Sequence, residues 1–376
     1  MMDLASAKLR LAALFEQPPK FVMEEVGSKV AIYGAGSCGR DVLRVLRDAG
    51  YEVVAFLDTN AVKIGDVDGI PCHQPGDAES RALAVSGTAV LVAVFNFTAD
   101  TGEIEDVLHR NGFENVLPYY ALDAKFPGKL KSRFWMATRD FWNQHKACIN
   151  RGLELWSDGE SRKLYLELVE LRLTLNLQLL RCPDRSHQYF PTNLPPLREP
   201  IRLIDGGAYV GDTLAAIQQF QLEAVAAFEP DLENFRNLRR WLEKEGAGIN
   251  EAVLFPCGLD RESAMRRFNT GQAAGSAVTK FGDSTIQVVA LDDVLPRFAP
   301  TFIKLDIEGA EIDALNGARE MIRKHQPRIA ACVYHLPEHL WEVPLLLKEL
   351  VPEHRLHLRY HGFNGFDAVA YAIEPA

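Results

Sequence analysis

Residues 201–213 read IRLIDGGAYVGDT: a short β-rich apolar run, an aspartate, a glycine-rich turn and the opening of a helical pattern. Strand, glycine turn and helix in that order begin a nucleotide-binding α/β unit. The bare backbone of such a turn approaches a ligand closely, and the helix N-terminus offers free N–H donors. Downstream, strands are expected at 224–228, 252–255, 286–290, 301–305, 328–333 and 356–360, and helices near 232–244, 311–324 and 343–351. That alternation implies a parallel sheet covered by helices.

A second beginning lies upstream. Residues 29–33 (KVAIY) run into Gly34-Ala-Gly36-Ser-Cys-Gly39, and an apolar stripe at Val42, Leu43, Val45 and Leu46 ends at Gly50. Further strands are expected at 51–57, 89–95 and 115–118, with a helix at 103–110. Between the two units, residues 164–180 (LYLELVELRLTLNLQLL) alternate as a strand would, yet seventeen residues far exceed a strand of about 5–6. Leu164, Leu168, Leu171, Leu175 and Leu179 also share one helical face, so a helix buried between domains is expected there. The fold class is therefore α/β: two Rossmann-like doubly wound domains joined by a helical bridge. The expected division is a helical lead at 1–28, a Rossmann-like nucleotide-binding domain at 29–123, a bridge with a Pro-rich linker at 124–200, and a catalytic domain at 201–376.

The bulk numbers agree. A chain of 376 residues is long for one domain, and 47% hydrophobic with 24% charged residues is the mix of a globular protein. The net charge of −10 argues against nucleic acid as a partner. No apolar run reaches the roughly 20 residues that cross a bilayer, so no membrane insertion is expected. The opening residues carry Asp3 early and lack the apolar core of a secretory signal. Six scattered cysteines form neither a disulfide framework nor a zinc site, which points to the cytoplasm.

Asp205, Gly207 and Gly211 have the spacing used for S-adenosylmethionine (SAM): the glycines pass its methionine part and an acidic group meets its ammonium. Glu229 ends the next strand, where a carboxylate accepts both ribose hydroxyls. A dinucleotide is the competing ligand, but a carboxylate at the turn repels phosphate. In FIKLDIEGAE, residues 302–311, Lys304 and Asp306 share a strand face and Asp306 sits at the strand's carboxyl end, where open sheets place ligands. Methyl transfer needs a group to take the acceptor's proton. Asp306 is the first candidate and His335 the second, with Lys304 orienting the acceptor. Glu308 either joins them or serves the helix start. A metal-assisted route would use Asp306 and Glu308 as oxygen ligands, but no metal is assigned. Arg359 and His361 are further candidates for an acceptor pocket, and Asp292 for a helix cap.

The runs LIDGGAYVGDT (203–213), AFEPDLENF (227–235), ALD (290–292), FIKLDIEGAE (302–311) and VYH (333–335) resemble the FkbM family of SAM-dependent methyltransferases. The resemblance implies a class I methyltransferase fold, SAM as donor and O-methylation of a hydroxyl on a sugar, polysaccharide precursor or related natural product. By position, Asp205, Gly206, Gly207, Ala208, Gly211 and Glu229 take the family's SAM-site roles.

In the first unit, Gly34, Gly36 and Gly39 complete GxGxxG, and Asp58 follows 19 residues after Gly39. The segment resembles the Rossmann-like N-terminal domains of PglD-type sugar acyltransferases, which implies a nucleotide-sugar ligand. NAD(P) binding and a ligand-free scaffold that packs or dimerises remain alternatives, so a homo-oligomer stays open. For the whole chain, the alternatives to a methyltransferase are a non-catalytic nucleotide or nucleotide-sugar binding protein and an NAD-dependent sugar oxidoreductase.

Overall fold

The structure is a computed structural model that describes residues 2–21, 23, 26–131, 133–246, 248–268 and 284–375. Six strands form the first sheet: β1 (Lys29–Tyr33), β2 (Glu52–Leu57), β3 (Asp66–Val67), β4 (Ile70–His73), β5 (Ala89–Val92) and β6 (Val116–Pro118). Their order is β3-β4-β2-β1-β5-β6, parallel except for the β3–β4 hairpin. Period two splits β1 between two cores: Val30 and Ile32 pack on one face, Ala31 and Tyr33 on the other. Helices therefore cover both faces, as in a doubly wound fold.

The second sheet holds β7 (Ile201–Gly206), β8 (Leu222–Phe228) and β9 (Glu251–Phe255), followed in chain order by the short strands β10 (Gly258–Leu259), β11 (Ala264–Phe268) and β12 (Ser284–Val289), which form a small sheet of their own. Four strands complete the larger sheet: β13 (Phe302–Leu305), β14 (Arg328–Cys332), β15 (Arg355–Tyr360) and β16 (Ala368–Ile373). Its order is β15-β16-β14-β13-β7-β8-β9, with β16 antiparallel to both neighbours and the rest parallel. The strand order reverses between β7 and β13, which opens a crevice at their carboxyl ends. In register, Asp205 lies opposite Lys304 and Gly206 opposite Leu305.

The bridge helix runs over Gly159–Thr174 rather than to residue 180, because Leu175 takes a left-handed conformation (φ 63°) and closes it. It is buried on nearly all sides, and helix Leu4–Glu16 packs against it, with Ala7, Leu11 and Leu14 joining the core of the second sheet. The lead thus belongs with the bridge in packing. Asp158 pins the bridge to β15. It caps the helix by accepting the Ser161 N–H (2.6 Å) and also holds His357 (2.6 Å) and Arg359 (3.1 Å). These partners, with burial opposing, hold its carboxyl well below the usual range. Ser157 donates to the Leu356 carbonyl (2.9 Å), so the bridge also covers the exposed edge of β15.

Other expectations are corrected. The single helix at 311–324 is two, Glu311–Asn316 and Arg319–His325, broken at Gly317, whose Cβ would lie 2.2 Å from the Asp260 carbonyl oxygen. Asp292 caps the second of these through the N–H groups of Glu320 and Met321 (2.9 Å each). Arg359 and His361 face no acceptor: Arg359 binds Asp158, Ser161 and Asn193, and His361 contacts the Asp184 carbonyl and the Tyr371 hydroxyl.

Replacing Asp158 removes a cap worth about 1 kcal/mol and leaves the buried Arg359 short of its carboxylate. Asp158→Ala is expected to lower unfolding stability by about 2–4 kcal/mol in urea titrations; a change under ~0.5 kcal/mol would deny the pin its role.

Candidate active site

The turn after β7 needs glycine for a specific reason. Gly207 has φ 75°, and a Cβ on it would stand 1.9 Å from the Asp306 carbonyl oxygen. The loops after β7 and β13 therefore touch backbone to backbone. Gly207 and Ala208 both donate to the Phe228 carbonyl (3.0 Å), which ties in β8 as well. Gly211 (φ 94°) caps helix Asp212–Ile217 beneath the Trp241 ring.

Beneath this turn lies a buried ion pair. Lys304 Nζ stands 3.1 Å from Asp205 Oδ1 and donates to the carbonyls of Gly206 (3.2 Å) and Gly207 (2.6 Å). Burial opposes the lysine's charge, but Asp205, Asp306 and Asp212 outweigh it and raise its pKa. Burial pushes the Asp205 carboxyl up, with Lys304 pulling against it. Asp205 is wholly buried, and neither of its oxygens accepts an aligned hydrogen bond. Its contact with Lys304 is one of charge.

A cavity of about 590 Å³ opens above the pair. Of the residues expected at a site, Gly207, Glu229, Lys304, Asp306 and Glu308 line it; Asp205, Gly206, Ala208, Gly211 and His335 stand behind its wall. On the β8 side, Glu229 accepts the N–H groups of Tyr209 (2.9 Å) and Asp231 (2.8 Å), and burial pushes its carboxyl up to about 7. On the β13 side, Asp306 accepts the Tyr189 hydroxyl (2.6 Å) and lies 3.2 Å from His335 Nε2. Burial works against its charge, yet His335, Lys304 and Tyr189 together hold it far below the carboxylate range.

His335 is buried behind Asp306, with Nδ1 2.8 Å from Glu311 Oε1. His339 Nδ1 approaches the other oxygen of Glu311 at 3.0 Å. Burial alone would lower the His335 pKa, but Glu311, Asp306 and Glu308 raise it well above the ordinary value, so it is an imidazolium. Glu308 differs from Asp306. It occupies a left-handed conformation (φ 53°) ahead of Gly309, and burial with Asp306 and Glu311 nearby pushes its carboxyl up to about 8, against the pull of His335. Asp367 follows the same logic and is raised to about 7 by burial and Asp306.

The sequence reading missed Tyr189, Tyr334, Asn234 and Asp367 in the wall, and Glu311 as the partner of both histidines. Tyr334 and Asn234 fall inside the quoted VYH and AFEPDLENF runs; Asp367 carries no local signal. The first domain contributes Phe95, Asn96 and Phe97, just beyond β5. Gly34, Gly36, Gly39 and Asp58 stand outside the cavity. Asp58 accepts the N–H groups of Ala35 (3.0 Å) and Asn60 (2.8 Å), and a Cβ on Gly39 would lie 1.9 Å from the Gly34 carbonyl oxygen. Among the described residues, ligand atoms gather at metal-binding distances only at His73, Asp77 and Glu79, outside the cavity.

A seven-stranded sheet with one antiparallel strand and a cavity at its switch point is the Rossmann-like architecture of methyltransferases. Residues 205–364 match the model of the methyltransferase FkbM domain, and residues 29–96 match the PglD N-terminal domain. The C-terminal part of the chain thus belongs to the FkbM methyltransferases, joined to a PglD-type N-terminal domain. In structure the chain is similar to methyltransferase FkbM from Methylobacillus flagellatus KT, with TM-score 0.78 and 21% identity over 98% of this chain and 100% of that one. A fainter likeness joins it to Aeropyrum pernix fibrillarin in complex with S-adenosyl-L-methionine, with TM-score 0.31 and 10% identity over 50% of this chain and 73% of that one. No curated protein matches the chain.

Lys304→Met leaves Asp205 buried without its counter-charge, which is expected to cost about 3–5 kcal/mol in urea unfolding. Pairing it with Asp205→Leu removes both charges and should recover most of that loss. A double variant no more stable than Lys304→Met alone would show that the pair is not the source.

Proposed function

We propose that the chain is a cytoplasmic SAM-dependent O-methyltransferase acting on a hydroxyl of a sugar or sugar-bearing precursor. The observation that carries this reading is the one cavity joining the glycine turn after β7 and Glu229 after β8 to the acids after β13. Its residues suit SAM. Gly207 leaves bare backbone at the wall, and each Glu229 oxygen has accepted one N–H and keeps a lone pair for a ribose hydroxyl. Phe228, Pro230, Leu259 and Phe268 supply an apolar wall for a purine. When bound, SAM supplies an electrophilic methyl group on a cationic sulfur.

The remaining chemistry falls to the chain's own residues. Asp306 is too acidic to be an effective base, so its role is to stay ionised and orient groups in the cavity. The imidazolium of His335, fixed by Glu311, holds it in place as a positioning residue. Lys304 is committed to the glycine turn. Glu308 lines the cavity with a carboxyl poised near neutrality, and it is the group best matched to take the hydroxyl proton. On the acceptor side, Phe97 (45% exposed) offers a flat face beside Asn96, Gln188 and Asp367, a combination that stacks on a sugar ring and hydrogen-bonds its hydroxyls. Gly34, Gly36, Gly39 and Asp58 would recognise a nucleotide attached to such a sugar; the support is a turn that tolerates only glycine.

Calorimetry with SAM is expected to show one site per chain, and Glu229→Ala to weaken it at least tenfold. Glu308→Gln should leave SAM affinity within threefold and lower kcat by about 10²-fold or more. Glu308 acts in its deprotonated form, so kcat/KM for the acceptor should rise with pH. The midpoint should be no higher than about 8, because a bound sulfonium can only lower it. That limb should vanish in Glu308→Gln. Wild-type turnover by this variant would remove Glu308 as the base.

A further inference from the structure

A second cavity, of about 290 Å³, lies between the first sheet and the bridge helix. It shares Phe95 with the cavity above but includes none of Gly34, Gly36, Gly39 or Asp58. Most of its wall is apolar, from residues such as Val92, Leu130, Trp135, Leu175 and Leu177. One ion breaks that pattern. Arg172, on the bridge helix, is only 5% exposed and lines the cavity, and all three of its guanidinium nitrogens are buried without a hydrogen-bond partner among the described residues. Its Cζ stands 5.4 Å from the Trp142 ring centroid and 5.9 Å from that of Trp135.

This arrangement is unbalanced. A guanidinium stays protonated under almost any condition, so burial cannot be relieved by losing the charge. Burial does press its pKa down, to about 9, with Tyr165 pulling the other way. Two cation–π contacts return only part of what desolvation costs an ion. No carboxylate of the described chain lies within ion-pairing distance of Arg172. The one acid on the wall, Asp123, accepts the Gly128 N–H (3.0 Å). Lys131, exposed on the wall, adds a second positive charge.

We infer that this cavity binds a small organic carboxylate with an apolar body, whose carboxylate serves as the counter-ion of Arg172. A planar carboxylate matches the guanidinium fork, and its single negative charge matches a single buried cation. A phosphate dianion would leave surplus charge against apolar walls. The volume sits at the small end of ligand pockets, roughly 300–1,000 Å³. The site is independent of SAM and of the acceptor.

The test uses the full chain with phenylacetate as probe, followed by calorimetry and by tryptophan emission, since Trp135 and Trp142 flank Arg172. Saturable binding is expected for phenylacetate. The neutral isostere phenylacetamide and inorganic phosphate should each bind at least tenfold more weakly. Arg172→Met should weaken phenylacetate at least tenfold without lowering the melting temperature of the free protein, because it removes an unpaired buried charge. Lys131→Glu, an exposed change that spares folding, should weaken it about threefold or more. No saturable phenylacetate binding to the natural chain would overturn the proposal. So would equal binding of the amide, tighter binding of phosphate, or undiminished binding by Arg172→Met.

Discussion

The charge of Lys304 is what the rest of the active region rests on. One buried ammonium serves the Asp205 carboxylate and the carbonyls of Gly206 and Gly207, so it ties β13 to β7 at the point where the strand order reverses. The loops beyond can then approach until the Gly207 backbone touches that of Asp306. A side chain at 207 or a neutral residue at 304 would push the loops apart. The distance between Glu229 and the acids after β13 is thus set from below, by residues that barely meet the ligand space.

A second constraint is the aromatic seam between the two sheets. Phe95 packs on Trp135 (5.0 Å) and Phe366 (4.9 Å), and Phe134 lies 5.9 Å from both Tyr334 and His335. Asn364 adds hydrogen bonds to the carbonyls of Asn96 and Ala99 and to the Thr101 hydroxyl. The first domain therefore supplies a wall of the C-terminal cavity through Phe95–Phe97, so acceptor recognition and catalysis share one seam.

Strong local signals made much of this legible in advance. The glycine turns, the acids at strand ends and the period-two runs of β1 and β7 follow from adjacent residues, and they brought Gly207, Glu229, Lys304, Asp306 and Glu308 to one cavity. What escaped depends on distant pairing. Strand β16 (AVAYAI) is apolar without alternation because both its faces are buried, so no periodicity marks it, and Asp367 just before it went unseen with it. Asp205 was expected to meet a ligand's ammonium, whereas the structure pairs it with the ammonium of Lys304. Glu311 read as a helix-start residue, and only the fold reveals that it holds two histidines. Pro337 argued against His335 and His339 sharing a regular helix, and the helix does begin at His339; the two meet through Glu311 instead.

The balance of charge around the cavity completes the reasoning. Asp212, Glu229, Asp306, Glu308 and Asp367 face it, and the one lysine in its wall is already engaged with Asp205. Five carboxylates sharing so small a space cannot all ionise, and the stress falls on Glu229, Glu308 and Asp367, whose carboxyls are pushed to about 7, 8 and 7. Such a cavity binds a cation better than a neutral molecule, and better still as its acids lose their protons. A sulfonium donor would provide that charge. Its binding would lower the pKa of Glu308 and so prepare the base that the acceptor hydroxyl needs. On this reading the raised carboxyls couple donor binding to catalytic competence: an acceptor arriving first meets a protonated Glu308, and one arriving second meets a carboxylate.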